Sequence, residues 1–392
     1  MATTLITTPD EYHQATSALR ATVGQMGETL EQDVKSMTEF LRYRAAKRQF
    51  FPHHPDDDRT FYLESQYNIQ LSAQLEHRMD RALLLSQATA EGDTAFVQQQ
   101  GRQAYIFCTF HFGSYQMVGA MLRQLGFDFS VLTLREGITA DMLHQAGASE
   151  QIDVLHADSP SVMLEMHNVL QSGKSLMAFI DGNPEVISEA DRKSYAHVDI
   201  LGHQLLAKKG IPSLSYATGV PIVPIVSYRT GHGEVRVTFG PPIWPNRAQP
   251  RATYVQQALQ TCYGLLEHYL LARPEQWLYW RMIHNYLAQP AKAATPAAAP
   301  HDPAAPSPPS HYTFNQERYE LYQAGAHSYL YDRRTQEAFA ISGNLLAYLR
   351  HIGRTPDKAE AVAVRVNPAL RQELLGKHIL HAAHPPLAVA TP

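Results

Sequence analysis

The stretch "YIFCTFHFGSYQMVGAML", Tyr105–Leu122, changes from an apolar run typical of a buried strand to a pattern typical of an amphipathic helix. His111 stands at the join. Ligands and catalytic groups collect beyond the carboxyl ends of parallel strands, where loops and helix N-termini meet. An imidazole in that position can take a proton from an attacking hydroxyl or amine. The alternative is a partly buried histidine that caps the following helix.

Short apolar runs alternate with helical patterns on both sides of this stretch. The runs are "AYIFCTF", "FSVLTL", "SLMAFID", "VPIVPIVSY" and "VRVTFG", and "SPSVMLEMHNVLQSG" is one of the helical patterns. Alternation of this kind predicts an α/β fold with a mostly parallel sheet flanked by helices. We assign residues 101–287 to this α/β domain.

The remaining chain divides by composition. Residues 1–100 are polar with apolar residues at helical spacing, which predicts a helical N-terminal region. Residues 288–310 are almost entirely Ala and Pro and predict a linker. Residues 311–375 alternate with period two around a polar turn and then begin a helix at a serine, so they predict a small α+β domain. Residues 376–392 are predicted to be disordered.

Composition excludes several classes of protein. A chain of 392 residues with 44% hydrophobic content can bury a large core, and a net charge of -4 disfavours nucleic acid as a partner. Only Cys108 and Cys262 occur, without a CxxC pair or a secretory segment after Met1, so we expect a cytoplasmic protein. No apolar run approaches the roughly 20 residues that span a bilayer. No HExxH, Walker A or strand-following GxGxxG motif is present, so no metal or nucleotide cofactor is expected.

Four segments in order resemble a known enzyme family. They are "HFGSYQ", "LMAFIDGNPE", "DILGHQLLAKKGIPSLSYATGVPIVPIVSYR" and "RPEQWLYWRMIH". Over residues 100–285 the chain is similar to the lauroyl/myristoyl acyltransferases of lipid A biosynthesis, which resemble the wider glycerophosphate and lysophospholipid acyltransferases. The resemblance implies a glycerolipid acyltransferase-like fold, His111 as general base, and no cofactor besides an acyl thioester of coenzyme A or acyl carrier protein as co-substrate.

The sequence departs from that family at one catalytic position. The family's histidine is followed, after four intervening residues, by a carboxylate, but Gln116 stands there in this chain. A glutamine carbonyl can accept the imidazole N–H but carries no charge to stabilise an imidazolium ion. Asp181 follows "SLMAFI", so it shares an edge of the sheet with His111 if the two strands are neighbours. Asp181 or Glu185 is then predicted to supply the missing charge.

Further site residues are predicted around this centre. For Lys208 and Lys209, a solvated charge pair is the alternative to substrate binding. Cys108 is predicted to belong to the core rather than to act as a nucleophile. Trp277, Tyr279 and Trp280 are predicted to complete the core, and peripheral contact with the inner membrane is the alternative. The predicted substrate-binding residues are Gly113, Ser114, Glu185, Gly202, Lys208 and Lys209.

Residues 312–353 resemble the winged-helix peptide chaperone of pyrroloquinoline quinone biosynthesis and the related recognition domains of ribosomal peptide pathways. In such domains a peptide adds as a strand to an exposed sheet edge. The resemblance implies that the C-terminal domain docks a peptide or carrier-bound acceptor. A packing or dimerisation domain is the alternative.

Two hypotheses about function remain. The first is an acyltransferase of a specialised biosynthetic pathway that moves a fatty acyl group from a thioester to a hydroxyl or amine, with His111 as base. The second is a non-catalytic module that binds an acyl group or a peptide within a biosynthetic complex. Gln116 favours the second hypothesis, and His111 together with Asp181 favours the first.

Overall fold

The computed structural model of the chain describes residues 5–99, 101, 103–134, 153–182, 187, 191–230, 234–287 and 310–383. The chain divides into two compact units. The first contains residues 1–27 and 46–288, and the second contains residues 28–45 and 289–392. The predicted linker, except Ser310, and residues 384–392 of the predicted tail lie outside the described residues.

A seven-stranded sheet forms the centre of the first unit. When the strands are numbered along the chain, their order in the sheet is first, ninth, eighth, second, fifth, third and fourth. All neighbouring strands are parallel except the eighth and the ninth. The sixth and seventh strands form a separate antiparallel hairpin. The nine strands are β1 (Ala88–Gly92), β2 (Ile106–Thr109), β3 (Phe129–Thr133), β4 (Asp153–His156), β5 (Ser175–Phe179), β6 (Tyr195–Ile200), β7 (His203–Lys208), β8 (Ile222–Arg229) and β9 (Val235–Phe239).

Helices lie on both faces of this sheet. Four residues of the fifth helix pack with Phe107, Phe129 and Val223 on one face, whereas Tyr263 of the eighth helix meets Phe110 on the other, with ring centroids 5.3 Å apart. The predicted mostly parallel sheet flanked by helices is therefore confirmed. The helices are α1 (Pro9–Glu28), α2 (Val34–Phe50), α3 (Asp58–Gln70), α4 (Arg81–Ser86), α5 (Met117–Gln124), α6 (Val162–Gln171), α7 (Gly210–Thr218), α8 (Arg251–Ala272) and α9 (Ile283–Tyr286).

The second unit combines the C-terminal residues with a segment from the N-terminal part of the chain. Its strands are β10 (His311–Phe314), β11 (Tyr319–Ala324), β12 (His327–Asp332), β13 (Glu337–Ile341), β14 (Asp357–Lys358) and β15 (Leu380–Ala383). Its further helices are α10 (Gly343–Ile352), α11 (Ala359–Arg365) and α12 (Pro368–Gly376). The strands form two antiparallel sheets in the orders β14-β10-β15 and β11-β12-β13. As the sequence pattern predicts, α10 begins at a serine, since the Ser342 hydroxyl accepts the N–H of Leu345 at 3.2 Å.

The N-terminal segment is bonded to these strands. The Thr38 and Tyr322 hydroxyls are 3.3 Å apart, Arg42 donates to the carbonyl of Gln336, and Arg44 forms an ion pair with Glu320. Residues 34–45 of α2 therefore belong to the second unit, while the helix continues into residues of the first.

Two elements differ from the sequence prediction. The strand β1 lies in the region predicted to be helical, and its five residues pair only with β9 at the end of the sheet. The segment "ATAEG" contains one β-branched residue, so it carries little strand signal. The strand β15 lies in the stretch predicted to be disordered, where it pairs with β10 over four residues and buries Leu380.

Candidate active site

His111 and Asp181 meet at the carboxyl ends of two neighbouring strands. The strands β2 and β5 are paired in parallel, and each of the two residues follows the last residue of its strand by two positions. The imidazole Nδ1 of His111 lies 2.8 Å from Oδ1 of Asp181. The carboxylate accepts this hydrogen bond, so Nδ1 carries the hydrogen and Nε2 presents its lone pair.

The second oxygen of Asp181 fixes the carboxylate in place. Oδ2 accepts the backbone N–H of His111 at 2.9 Å and the indole N–H of Trp277 at 3.0 Å. Asp181 is buried, with 3% of its surface exposed. Three N–H donors thus converge on one buried carboxylate, an arrangement that orients the imidazole and can stabilise an imidazolium ion.

Aromatic rings surround the imidazole. Phe179 lies nearest, with ring centroids 4.3 Å apart, and Tyr115 and Tyr279 follow at 5.1 and 5.2 Å. The His111 side chain is still 21% exposed. Its Nε2 has no hydrogen-bond partner in the part of the chain that the structure describes. A candidate general base therefore lies partly exposed among aromatic rings.

The loop after β2 is held by the segment before α9. The backbone N–H of Gly113 donates to the carbonyl of Gln276 at 2.9 Å, and that of Leu278 donates to the carbonyl of His111 at 3.0 Å. Gly113 has φ +54°, and a methyl group there would lie 2.5 Å from the carbonyl oxygen of Ser227. Only glycine fits this close approach, which brings the loop and β8 together.

Gln116 is bonded to a residue other than His111. Its side-chain amide donates to the carbonyl of Ser72 at 3.2 Å. The imidazole Nδ1 bonds Asp181, so Asp181 orients His111 in this structure, and a catalytic role for Gln116 stays a prediction. Gly113 and Ser114 are buried, and the Ser114 hydroxyl lies in the protein interior. Both residues lie within the loop that carries His111, and their role in substrate binding stays a prediction.

A buried ion pair supports the same loop, and the sequence analysis missed it. The guanidinium of Arg229, at the end of β8, donates to Glu76 Oε1 at 2.7 and 3.0 Å and to Asn68 at 3.2 Å. It also donates to the hydroxyl of Ser72, which in turn donates to the carbonyl of Gly113 at 3.0 Å. An arginine that ends a buried strand was the available signal, but its partners lie more than 150 residues away.

The other predicted binding residues lie apart from the imidazole. Gly202, with φ +75°, and Leu201 form the two-residue turn between β6 and β7. Lys208 ends β7, and Lys209 precedes α7. None of these residues takes part in the hydrogen bonds or ring contacts of His111 within the described ranges. Glu185 lies outside the described residues.

Three aromatic residues and Cys108 were predicted to lie in the core, and their burial agrees with that prediction. Trp277, Tyr279 and Trp280 are 2%, 9% and 1% exposed, so they complete the core and form no exposed aromatic surface. Burial, together with the neighbouring Cys262, raises the pKa of the Cys108 thiol well above its usual value. A thiol held neutral in the core is a poor nucleophile.

A groove of about 790 Å³ opens elsewhere on the first unit. Its lining includes Tyr12, Arg20, Tyr67 and Arg273, and it contains neither His111 nor Asp181. Within the described ranges, no three His, Cys, Asp or Glu side chains cluster as metal ligands. Among the same residues, no helix is long and apolar enough to cross a membrane.

Comparison with known proteins shows a distant likeness in structure. No protein-family model matches the sequence, and no curated protein matches it. The chain is similar to the crystal structure of the 1-acyl-sn-glycerophosphate acyltransferase PlsC from Thermotoga maritima, with 13% sequence identity and a TM-score of 0.30. The match covers 65% of this chain and 97% of that one. At this TM-score the likeness carries no weight for function, which we derive from the site itself.

Proposed function

We propose that the protein is an acyltransferase that moves an acyl group from a thioester of coenzyme A or acyl carrier protein to a hydroxyl or amine. The observation that supports this most is the His111–Asp181 pair, in which a buried carboxylate bonds Nδ1 and no residue in the described ranges bonds Nε2. A histidine held in this way is suited to remove a proton from an attacking group. Gln116 was the feature that favoured a binding-only module, and it has another partner.

The reaction follows from these groups. His111 Nε2 accepts the proton of the acceptor hydroxyl or amine while the acceptor oxygen or nitrogen forms a bond to the thioester carbonyl carbon. The π electrons of the carbonyl move to its oxygen, and Asp181 stabilises the imidazolium ion. When the carbonyl re-forms, the C–S bond breaks and the sulfur takes the proton from His111. The products are an ester or amide and a free thiol.

The role of His111 as general base is tested by replacing its side chain. His111→Ala should lower thiol release from lauroyl- or palmitoyl-coenzyme A, or from the same acyl groups on acyl carrier protein, by about 10²-fold or more. The matched control is His268→Ala, which removes an exposed imidazole from α8. Circular dichroism checks that both variants fold. Equal thiol release by the wild type and His111→Ala would refute the proposed function, and thioester binding without release would favour the binding module.

We further propose that the C-terminal unit docks a peptide or carrier-bound acceptor at β13. This strand ends its sheet, with β12 as its only partner among the described strands, and its Phe339 is 37% exposed. A strand edge of this kind offers main-chain hydrogen bonds to an added strand.

The docking proposal is tested at Phe339. Phe339→Glu should raise KM for a peptide or carrier-bound acceptor and leave KM for a small alcohol unchanged, because only the large acceptor uses the edge. Val364→Glu is the control, since Val364 is 87% exposed on α11. An equal effect of Phe339→Glu on large and small acceptors would contradict docking.

A further inference from the structure

A small space beside Gly182 lies between the imidazole and a tyrosine hydroxyl. A methyl group on Gly182 would lie 3.8 Å from Cε1 of His111 and 3.9 Å from the hydroxyl oxygen of Tyr279. It would also lie 3.6 Å from the carbonyl oxygen of Phe179. Because Gly182 has no side chain, a substrate atom at this position would lie within van der Waals distance of His111 and Tyr279.

The Tyr279 hydroxyl is placed to act on such atoms. The ring is buried against His111 and Trp277, with centroids 5.2 and 6.3 Å away, so the side chain is fixed. Burial, with the charge of Asp181 as a second cause, raises the pKa of Tyr279 and keeps it a neutral donor.

We infer that Tyr279 is a catalytic residue whose hydroxyl donates a hydrogen bond to the oxyanion formed when the thioester carbonyl, seated beside Gly182, is attacked. This inference rests on the proposed acyl transfer. Attack places a full charge on the carbonyl oxygen, and a donor fixed in a water-poor site stabilises that charge more than it stabilises the neutral carbonyl. The carbonyl of Phe179 repels an oxyanion, which favours the orientation in which the charged oxygen points towards Tyr279.

Tyr115, the other tyrosine beside the imidazole, is a weaker candidate. The hydroxyl of Tyr279 is one of the three atoms nearest to a methyl group built on Gly182, and no atom of Tyr115 is among them. The geometry therefore distinguishes two tyrosines at nearly equal distances from His111.

The first test removes the hydroxyl and keeps the ring. Tyr279→Phe should lower kcat for thiol release by about 10²- to 10³-fold with little change in KM, because the donor acts in the transition state. The control is Tyr269→Phe. Tyr269 lies on α8, and its hydroxyl donates to the hydroxyl of Thr238 at 2.8 Å. That variant should keep the wild-type kcat.

The second test fills the space. The methyl group of Gly182→Ala makes only ordinary van der Waals contacts with the protein, so the variant should fold. It should lower kcat/KM for the thioester by roughly tenfold or more, since displacement of the carbonyl disturbs the reacting geometry. Gly264→Ala on α8, where a methyl group meets nothing within 4 Å, is the control.

The outcomes separate this inference from the proposed function. If His111→Ala abolishes thiol release but Tyr279→Phe keeps the wild-type kcat, Tyr279 is not the oxyanion donor, and the acyltransferase proposal stands. If Gly182→Ala has full activity, the thioester does not sit beside Gly182. If the wild type and His111→Ala release thiol equally, the proposed function fails, and the role of Tyr279 fails with it. Loss of kcat in both site variants, with active controls, supports the inference.

Discussion

The replacement Asp181→Asn should lower kcat by about 10³- to 10⁴-fold while the protein stays folded, because it changes the tautomer of His111. Asp181 accepts two N–H groups at Oδ2 and one, from the imidazole, at Oδ1. Asparagine offers one acceptor oxygen and one NH₂ group in the same volume. The orientation of the new amide therefore decides the outcome.

One of the two orientations is strongly favoured. With the amide oxygen at the Oδ2 position, the backbone N–H of His111 and the indole N–H of Trp277 keep their acceptor. The NH₂ group of the asparagine then faces the imidazole Nδ1. The reverse orientation leaves two buried N–H donors unpaired, at about 1–3 kcal/mol each. In the favoured orientation Nδ1 must accept, so the hydrogen moves to Nε2 and the free base is lost.

The assay has two readouts. Release of thiol from lauroyl-coenzyme A gives kcat, and ¹⁵N NMR of the imidazole reports which nitrogen carries the hydrogen. A folded Asp181→Asn variant within about tenfold of the wild-type kcat would refute the assigned role of Asp181. Loss of kcat with the hydrogen still on Nδ1 would show that charge, rather than the tautomer, is the essential contribution of the carboxylate.

Three further outcomes are expected. Trp277→Phe removes one of the three donors to the orienting carboxylate and should lower kcat by about tenfold, measured by thiol release. Gln116→Glu should not raise activity, because it replaces the donor to the Ser72 carbonyl by a carboxylate. Urea unfolding should show that the free energy of unfolding falls by about 1–3 kcal/mol. Glu76→Ala should lower the free energy of unfolding by about 3–5 kcal/mol, because it leaves the buried Arg229 unpaired.

An exposed ion pair is the matched control for the Glu76→Ala variant. Glu234 pairs with Arg236 at 2.9 Å, and its side chain is 59% exposed. Glu234→Ala should change the free energy of unfolding by less than about 1 kcal/mol, since solvent screens such pairs. Equal losses in the two variants would show that burial does not set the strength of the Glu76 pair.

The sheet and the positions of His111 and Asp181 were predictable because their signals are local. Apolar runs of strand length alternate with helical patterns, and both residues directly follow such runs. The pairing of β2 with β5 then brings them together, and parallel strands end at the same edge.

The residues that support His111 were not predictable in the same way. Trp277 lies 96 residues from Asp181, and Glu76 lies 153 residues from Arg229, so no sequence pattern connects either pair. The partner of Gln116 was not predictable either, because Gln116 occupies the family's acidic position whereas Ser72 lies in a preceding helical segment. Tertiary contacts decided each of these roles, and local propensity did not.

The sharing of α2 between the two units constrains how the chain can fold during synthesis. Residues 28–45 leave the ribosome early, yet the strand that they join, β11, follows almost 300 residues later. Until then, Thr38 and Arg42 lack Tyr322 and Gln336, to which they are bonded in the complete protein. We therefore expect residues 311–392 expressed alone to form a less stable fold than the same residues supplied with a peptide of residues 28–45.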